Sequence, residues 1–360
     1  MKRLSFYSFL CAVLLMSVNV FGQFEGGSGT LADPYQVKTA QQFAAIAGYP
    51  NAFFVQIDNI TFENNREFPQ INFSGIYDGQ GYTISANSDK TKPLFGTVTG
   101  TITRVTVNMN GRKTKAAILC KTLDGGTISY CNIQGNVTGA TAGGIVNTMS
   151  SGLVEYCCFT GNVTAHGVYG FNGYAGGICA RQNGGEIKGS MVASPSNIHG
   201  ATLFGLATAS GITNEGLSLG SQPQIDVTSC YSQATVTSNG TTNDIASGRG
   251  VTTTNSYPDA NAGELSGQAL ADYLNAGLDP DAFGVDNGNV VSRASSLSDP
   301  SYNGMGIYVS KQNGNFDVVP TWKYTPSDSD TKQFIISAGH TVTLRNANHI
   351  SGASITVEDG

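Results

Sequence analysis

The sequence predicts an all-β fold: a right-handed parallel β-helix, a solenoid of about five or more coils of ~26 residues with short capping helices. Three observations carry this prediction. The segment Gly126 to Thr138 (GTISYCNIQGNVT) reappears without a gap as Gly152 to Thr164 (GLVEYCCFTGNVT). A unit this small cannot bury its own apolar face, so its copies must stack. The chain holds 46 glycines and 40 % hydrophobic residues, and the apolar residues recur in short β-branched runs with no helical period inside a unit. That combination excludes collagen and a disordered tail. Finally, insertions enter at one point of a fixed register, which favours a solenoid over a sandwich.

Residues 1–22 read as a cleavable secretory signal. Met1, Lys2 and Arg3 supply a positive start, Phe9 to Val18 an apolar run and Val20-Phe21-Gly22 a small-residue end, which places cleavage between Gly22 and Gln23. Cys11 is a poor lipoprotein acceptor because Leu10 precedes it. No later stretch approaches the ~18 apolar residues of a membrane span. The mature chain is therefore expected to lack a transmembrane helix and to be secreted or held at the cell surface. Residues 23–60 read as an N-terminal cap. Thr39 and Gln42 make a capping box, Phe43 and Ile46 an apolar face and Gly48 a stop, so a helix near 39–47 should cover the open first coil.

Residues 61–257 read as the repeat domain. Ile102, Ile128, Val154, Ile187 and Val227 mark equivalent positions at separations of 26, 26, 33 and 40 residues, one internal ladder whose later units carry insertions. Ala142-Gly143-Gly144-Ile145-Val146 and Ala175-Gly176-Gly177-Ile178-Cys179, in phase with Ala116 to Leu119, mark a second strand in each coil. Gly and Asn are expected to turn the corners through positive φ. Cys131, Cys157 and Cys230 fall in one column, and Cys179 is expected to align with Val146 and Leu119. These cysteines read as small core hydrophobes, with Cys131 and Cys157 the pair to test for a disulfide. Residues 258–330 read as a helix-containing cap and loops, the helix starting at the N-cap Ser266 and stopping before Gly277. Residues 331–360 read as a β-strand segment opening a further β region, because Glu358-Asp359 looks like a turn into another strand.

Several segments also resemble a known family. Gly26-Gly27-Ser28-Gly29-Thr30, Asp33-Pro34-Tyr35-Gln36-Val37, Phe73 to Ile84 (FSGIYDGQGYTI), Leu94-Phe95-Gly96 and the Ala-Gly-Gly-Ile units resemble bacterial surface proteins bearing GLUG-type repeats, over about residues 26–240. The resemblance implies an exported adhesin-like β-helix, a fold sometimes attached to unrelated catalytic modules. It is diluted at Gly185 to Leu206 and in the insertion before Val227.

Composition narrows the function further. A net charge of -6, from 19 Lys+Arg against 25 Asp+Glu, excludes a nucleic-acid binder working through a basic surface. Gly216-Leu217-Ser218-Leu219-Gly220 has nucleophile-elbow spacing, but no helix follows it. His166, His199, His340 and His349 lack zincin spacing, and no C-x-x-C pair accompanies the cysteines. Asp279, Asp281 and Asp286 with Gly284 form an ordinary polar turn, since Phe283 stands where a calcium ligand belongs. No metal or cofactor is therefore expected. Thr101, Thr103, Thr106, Thr127, Thr138 and Thr164 do not hold the single column an ice-binding face needs. The expected function is non-catalytic: surface binding or a structural stalk, with a glycan or a host surface protein as partner. Tyr169, Phe171 and Tyr174, in a glycine-rich insertion, are the candidate binding residues, since exposed rings stack on sugars. The alternative is a glycan-active lyase or hydrolase, which needs paired acids. Glu186 and Asp226, each preceding an equivalent interior position, are the candidates.

Overall fold

The computed structural model describes residues 23–63, 66–167, 173–202, 206–215, 225–248, 250–258, 265–278, 282–292 and 294, and the backbone of strands at 307–309, 314–315, 333–336, 342–343 and 354–357. The expected signal segment lies outside the described residues.

Parallel strands stack coil on coil into a β-helix whose walls are a 14-stranded, an 11-stranded and a 4-stranded sheet. In the first sheet, Tyr35, Phe54, Tyr77, Ile102, Ile128, Val154, Ile187, Val227 and Thr253 are successive Cα partners. The expected ladder therefore stands, and it runs on at both ends. Tyr35 and Phe54 already belong to the sheet, so the segment expected as a cap supplies coils of its own. At about 4.8 Å per coil the stack is ~40 Å long.

A second ladder in this sheet joins Ile71, Phe95, Cys120, Val146, Cys179, Thr213 and Ala246. Cys179 thus shares its level with Cys120, not with Leu119, a correction of one residue. Leu119 instead donates its N–H to the Ile145 carbonyl at 3.3 Å. Leu119 and Cys120 are both fully buried at a corner, so hydrophobicity alone did not distinguish their registers. The second sheet stacks Ile60, Ile84, Val107, Ile133, Phe159 and Val192, and the third stacks Ala142, Ala175 and Ala209.

The N-terminal end is plugged as expected. Helix α1 (Ala40–Ala45) starts at the Thr39/Gln42 capping box and continues as a 3-10 turn, Ile46–Gly48. Its Phe43 is fully buried and lies edge-on to Phe62, Tyr77 and Phe95, at centroid distances of 5.9, 5.3 and 5.6 Å.

The corner between the first and second sheets departs from expectation. It is turned by Arg104, Tyr130, Tyr156, Gly189, Ser229 and Asn255, with φ of 54, 52, 50, 53, 52 and 47°. Most of these carry full side chains, and each left-handed non-glycine residue costs about 1–3 kcal/mol. Side-chain packing offsets the cost. The rings of Tyr130 and Tyr156 stack at 5.0 Å, and Arg104 is buried against Asp78.

Asp78 belongs to the Tyr77-Asp78-Gly79-Gln80-Gly81 turn, part of the segment that resembles GLUG-type proteins. Its buried carboxylate accepts from Arg104 Nε at 2.9 Å, from Arg104 Nη2, from Gln80 N at 3.0 Å and from Gln80 Nε2 at 2.7 Å. The turn is thus an internal corner whose carboxylate is fully engaged, although the buried Gln80 Oε1 has no partner.

The residue after each corner explains the cysteines. Cys131, Cys157 and Cys230 donate their thiols to the carbonyls of Ser129, Glu155 and Thr228, at 3.2, 3.2 and 3.4 Å. Ser190 and Ser256, in the same column, make the equivalent bonds to Lys188 and Thr254 at 3.0 and 3.1 Å. Cysteine and serine are interchangeable here because both donate to the carbonyl two residues back. Cys120, Cys131, Cys157, Cys158, Cys179 and Cys230 are all free and buried. Burial raises the thiols of Cys120 and Cys157 well above the usual range and pushes those of Cys158, Cys179 and Cys230 up to about 12. These six thiols are expected to resist a thiol reagent at pH 8 in the folded protein and all to react in denaturant. Peptide mapping that recovers Cys131 and Cys157 as a disulfide after unfolding without reductant would refute this.

At the other end the expected helix is present as α2 (Gly267–Asn275), with Ser266 as its N-cap and Gly277 beyond it at φ 83°. Its position differs from an end cap. Leu270, Ala271 and Leu274, with Phe283 and Val290 of an antiparallel hairpin (Phe283–Asp286, Asn289–Ser292), pack on the solenoid's flank over Tyr130, Tyr156, Cys158, Met191, Tyr231 and Tyr257. The outward tyrosines form an apolar strip running along several coils, and burying it stabilises the flank position. Farther along the chain, Ile307–Val309, Gln333–Ile336 and Ser354–Val357 pair in parallel.

Candidate functional site

Alternation within the second sheet produces one polar outer face. Val137, Val163 and Ile198 are Cα partners that face the core, so the residues beside them point outward. Asn136, Asn162 and Asn197 stack in one outward column. Asn162 donates both its backbone N–H (3.1 Å) and Nδ2 (3.0 Å) to Asn136 Oδ1, and Asn197 Nδ2 donates to Asn162 Oδ1 at 2.9 Å. The neighbouring column is Thr138, Thr164, His199 and Thr237. His199 Nδ1 and Thr237 Oγ1 are hydrogen-bonded at 2.8 Å.

These columns line a groove of about 410 Å³, with Lys113 at one end and His166 and His199 towards the other. Among the described residues, no carboxylate lines it. An amide ladder uses part of its hydrogen-bonding capacity on itself and holds the remaining donors and acceptors at fixed spacing. Such a rigid, uncharged array suits a ligand rich in hydroxyls.

The sequence-predicted binding residues fare differently from one another. Tyr169 and Phe171 lie outside the described residues. By chain order they belong to the connection that follows the strand Asn162–Gly167, which carries His166. Tyr174 is corrected: it is only 8 % exposed, and the Arg181 guanidinium stands over its ring at 5.6 Å. With one face occupied and the rest buried, it is not an open stacking platform.

Glu186 and Asp226 are Cα partners in adjacent coils, the juxtaposition their sequence positions suggested. They stand on the first sheet, not in the polar groove. Glu155 is half-buried in the adjacent coil, where its Cα partner is Lys188. Burial raises the Glu155 carboxyl above its usual range, Lys188 opposes the rise and Glu186 adds to it. Among the described residues, no group of three or more His, Cys, Asp or Glu is placed to hold a metal ion. No helix among them is long and apolar enough to cross a membrane. The Gly216 to Gly220 motif, His340, His349, Asp279 and Asp281 lie outside the described residues.

No family model matches the chain, and no curated protein matches it. Among solved structures it is similar to the crystal structure of a proposed immunoglobulin A1 protease from Bacteroides ovatus. The likeness is 17 % in sequence identity, covers 76 % of this chain and 96 % of that one, and has a TM-score of 0.49. It carries nothing about activity, and the parallel register described above establishes the β-helix by itself.

A second cavity, about 540 Å³, lies between the solenoid flank and α2, walled by Met191, Tyr231, Tyr257, Leu270 and Val290. The polar groove went unnoticed in the sequence, although part of its signal was there. Asn136 and Asn162 occupy the same place in the two ungapped copies, each following a glycine and preceding Val-Thr. Asn197 and His199 were hidden by the insertion that displaces their copy.

Proposed function

We propose that the protein is an exported, non-catalytic, adhesin-like β-helix of the GLUG-type kind that binds glycans through the groove on its second sheet. The Asn136, Asn162 and Asn197 ladder carries this reading: three amides held at one coil spacing present repeated hydrogen-bonding groups without a carboxylate among them. The amino-terminal segment supports export.

Each lost hydrogen bond is worth about 0.5–1.5 kcal/mol. The double variant Asn162→Ala, Thr164→Val is therefore expected to bind a glycan-array ligand at least ~10-fold more weakly, with little change in melting temperature, because both side chains are on the outer face. Equal binding by the variant would refute the assignment.

A second reading rests on the Glu186–Asp226 register. If that pair acts as the acids of a glycan-active enzyme, reducing sugar will be released from bound ligands, and release will stop in Glu186→Gln or Asp226→Asn. Under the binding reading no sugar is released and both variants bind normally.

A further inference from the structure

The protein is acidic overall, yet in the central coils its acids avoid the face that carries the groove. The stretches Val105 to Ala117, Asn132 to Ile145, Cys158 to Ile178 and Met191 to Ile212 include the second- and third-sheet strands of the central coils, and their sequences contain no Asp or Glu. The same stretches contain Arg112, Lys113, Lys115, His166 and His199. Asp124, Glu155, Glu186 and Asp226 all stand on first-sheet strands. One carboxylate does reach the end of this face: Asp89, in the preceding coil, accepts the Lys113 N–H through its Oδ1 at 2.9 Å.

A net charge of -6 distributed without regard to face would place carboxylates on this one too. Across the central coils they are missing, so Arg112, Lys113 and Lys115 make this face less negative than the rest of a protein whose overall field repels anions. Within the groove, Lys113 is the Cα partner of Asn136, and His199 is the partner of Thr164. Lys113 and the Asn197 level are separated by three coil steps, ~14 Å along the axis. The Lys113 ammonium and the imidazole donors of His166 and His199 are therefore spread along the amide ladder in the direction of the groove. A single sugar would not reach from one end to the other.

From this we infer that the groove's ligand is an acidic oligosaccharide lying along the solenoid axis, its carboxylate or sulfate groups met by Lys113, His166 and His199 and its hydroxyls by the Asn and Thr columns. The inference rests on the glycan-binding reading and narrows it to one ligand class. A carboxylate and a sulfate offer the same anionic oxygens to an ammonium or imidazole donor, and the experiment separates them.

The test presents the full-length protein with acidic glycans beside their neutral counterparts: sialylated against unsialylated lactosamine, polygalacturonate against its methyl ester, and sulfated against unsulfated dextran. At least one acidic member is expected to bind ~10-fold or more tightly than its neutral partner. The preference should shrink when salt is raised from about 0.15 to 1 M. It should also be lost in the triple variant Lys113→Gln, His166→Gln, His199→Gln. Lys121→Gln, on an exposed position of the first sheet, should leave it intact. Equal binding of every pair, or equal loss in Lys121→Gln, overturns the charge assignment while leaving glycan binding standing. Absence of binding to any glycan, acidic or neutral, overturns both.

Discussion

Replacing Asp78 with Ala is expected to destabilise the protein by about 3–5 kcal/mol, because it leaves a buried guanidinium without its counter-charge. Arg104 is 1 % exposed and has no access to bulk water that could take over the role of the carboxylate. The loss reaches further than one ion pair. Asp78 also fixes the turn through Gln80 N and Gln80 Nε2, and Arg104 holds its left-handed corner at φ 54° while reaching back to it. Removing both charges should hurt less than removing one, since the desolvation penalty of each ion disappears with it. The double variant Asp78→Leu, Arg104→Met is accordingly expected to recover a large part of the loss. Guanidinium unfolding of the three proteins checks this. A single-variant cost below ~1 kcal/mol would show that the pair is solvated.

Phe43→Ala is the second large effect, about 3–5 kcal/mol from lost burial and the cavity left behind. Three rings, Phe62, Tyr77 and Phe95, would lose their edge-on partner together. The consequence should extend beyond stability. Phe43 anchors α1 over the apolar interior at the N-terminal end, and an uncovered end presents that interior and its strand edges to other chains. Light scattering during a thermal scan should therefore show earlier aggregation of Phe43→Ala. Phe43→Leu, which keeps most of the volume, should stay within ~1.5 kcal/mol of the parent. If Phe43→Ala melts and scatters like the parent, α1 is not the plug.

Repetition made the interior legible. The spacing of Ile102, Ile128, Val154, Ile187 and Val227 was enough to define one ladder, because side chains that face a narrow core tolerate few alternatives. Coils without that repeat were less visible. Tyr35, Phe54 and Tyr77 fill the same ladder with rings, so the first coils did not look like copies of the later ones. One corner was legible only in part. Gly189 and Asn255 supply positive φ there as expected, but Tyr130 and Tyr156 also supply it, with rings that the flanking hairpin and α2 then cover. The flank position of α2 could not be read locally, since its amphipathic pattern says only that one side is buried. The Asn column was in view in the Gly-Asn-Val-Thr repeats, whereas its pairing to Asn197 required the actual register.

The most direct test of groove binding is chemical protection of its two histidines. Carbethoxylation of His166 and His199 would be measured by peptide mapping of the full-length protein, with and without a saturating glycan ligand from the array. The predicted result is labelling at both residues slowed at least ~5-fold by ligand, since both line the groove. Unchanged labelling of both at saturation, with the ligand demonstrably bound, would contradict it and place the binding surface elsewhere on the solenoid.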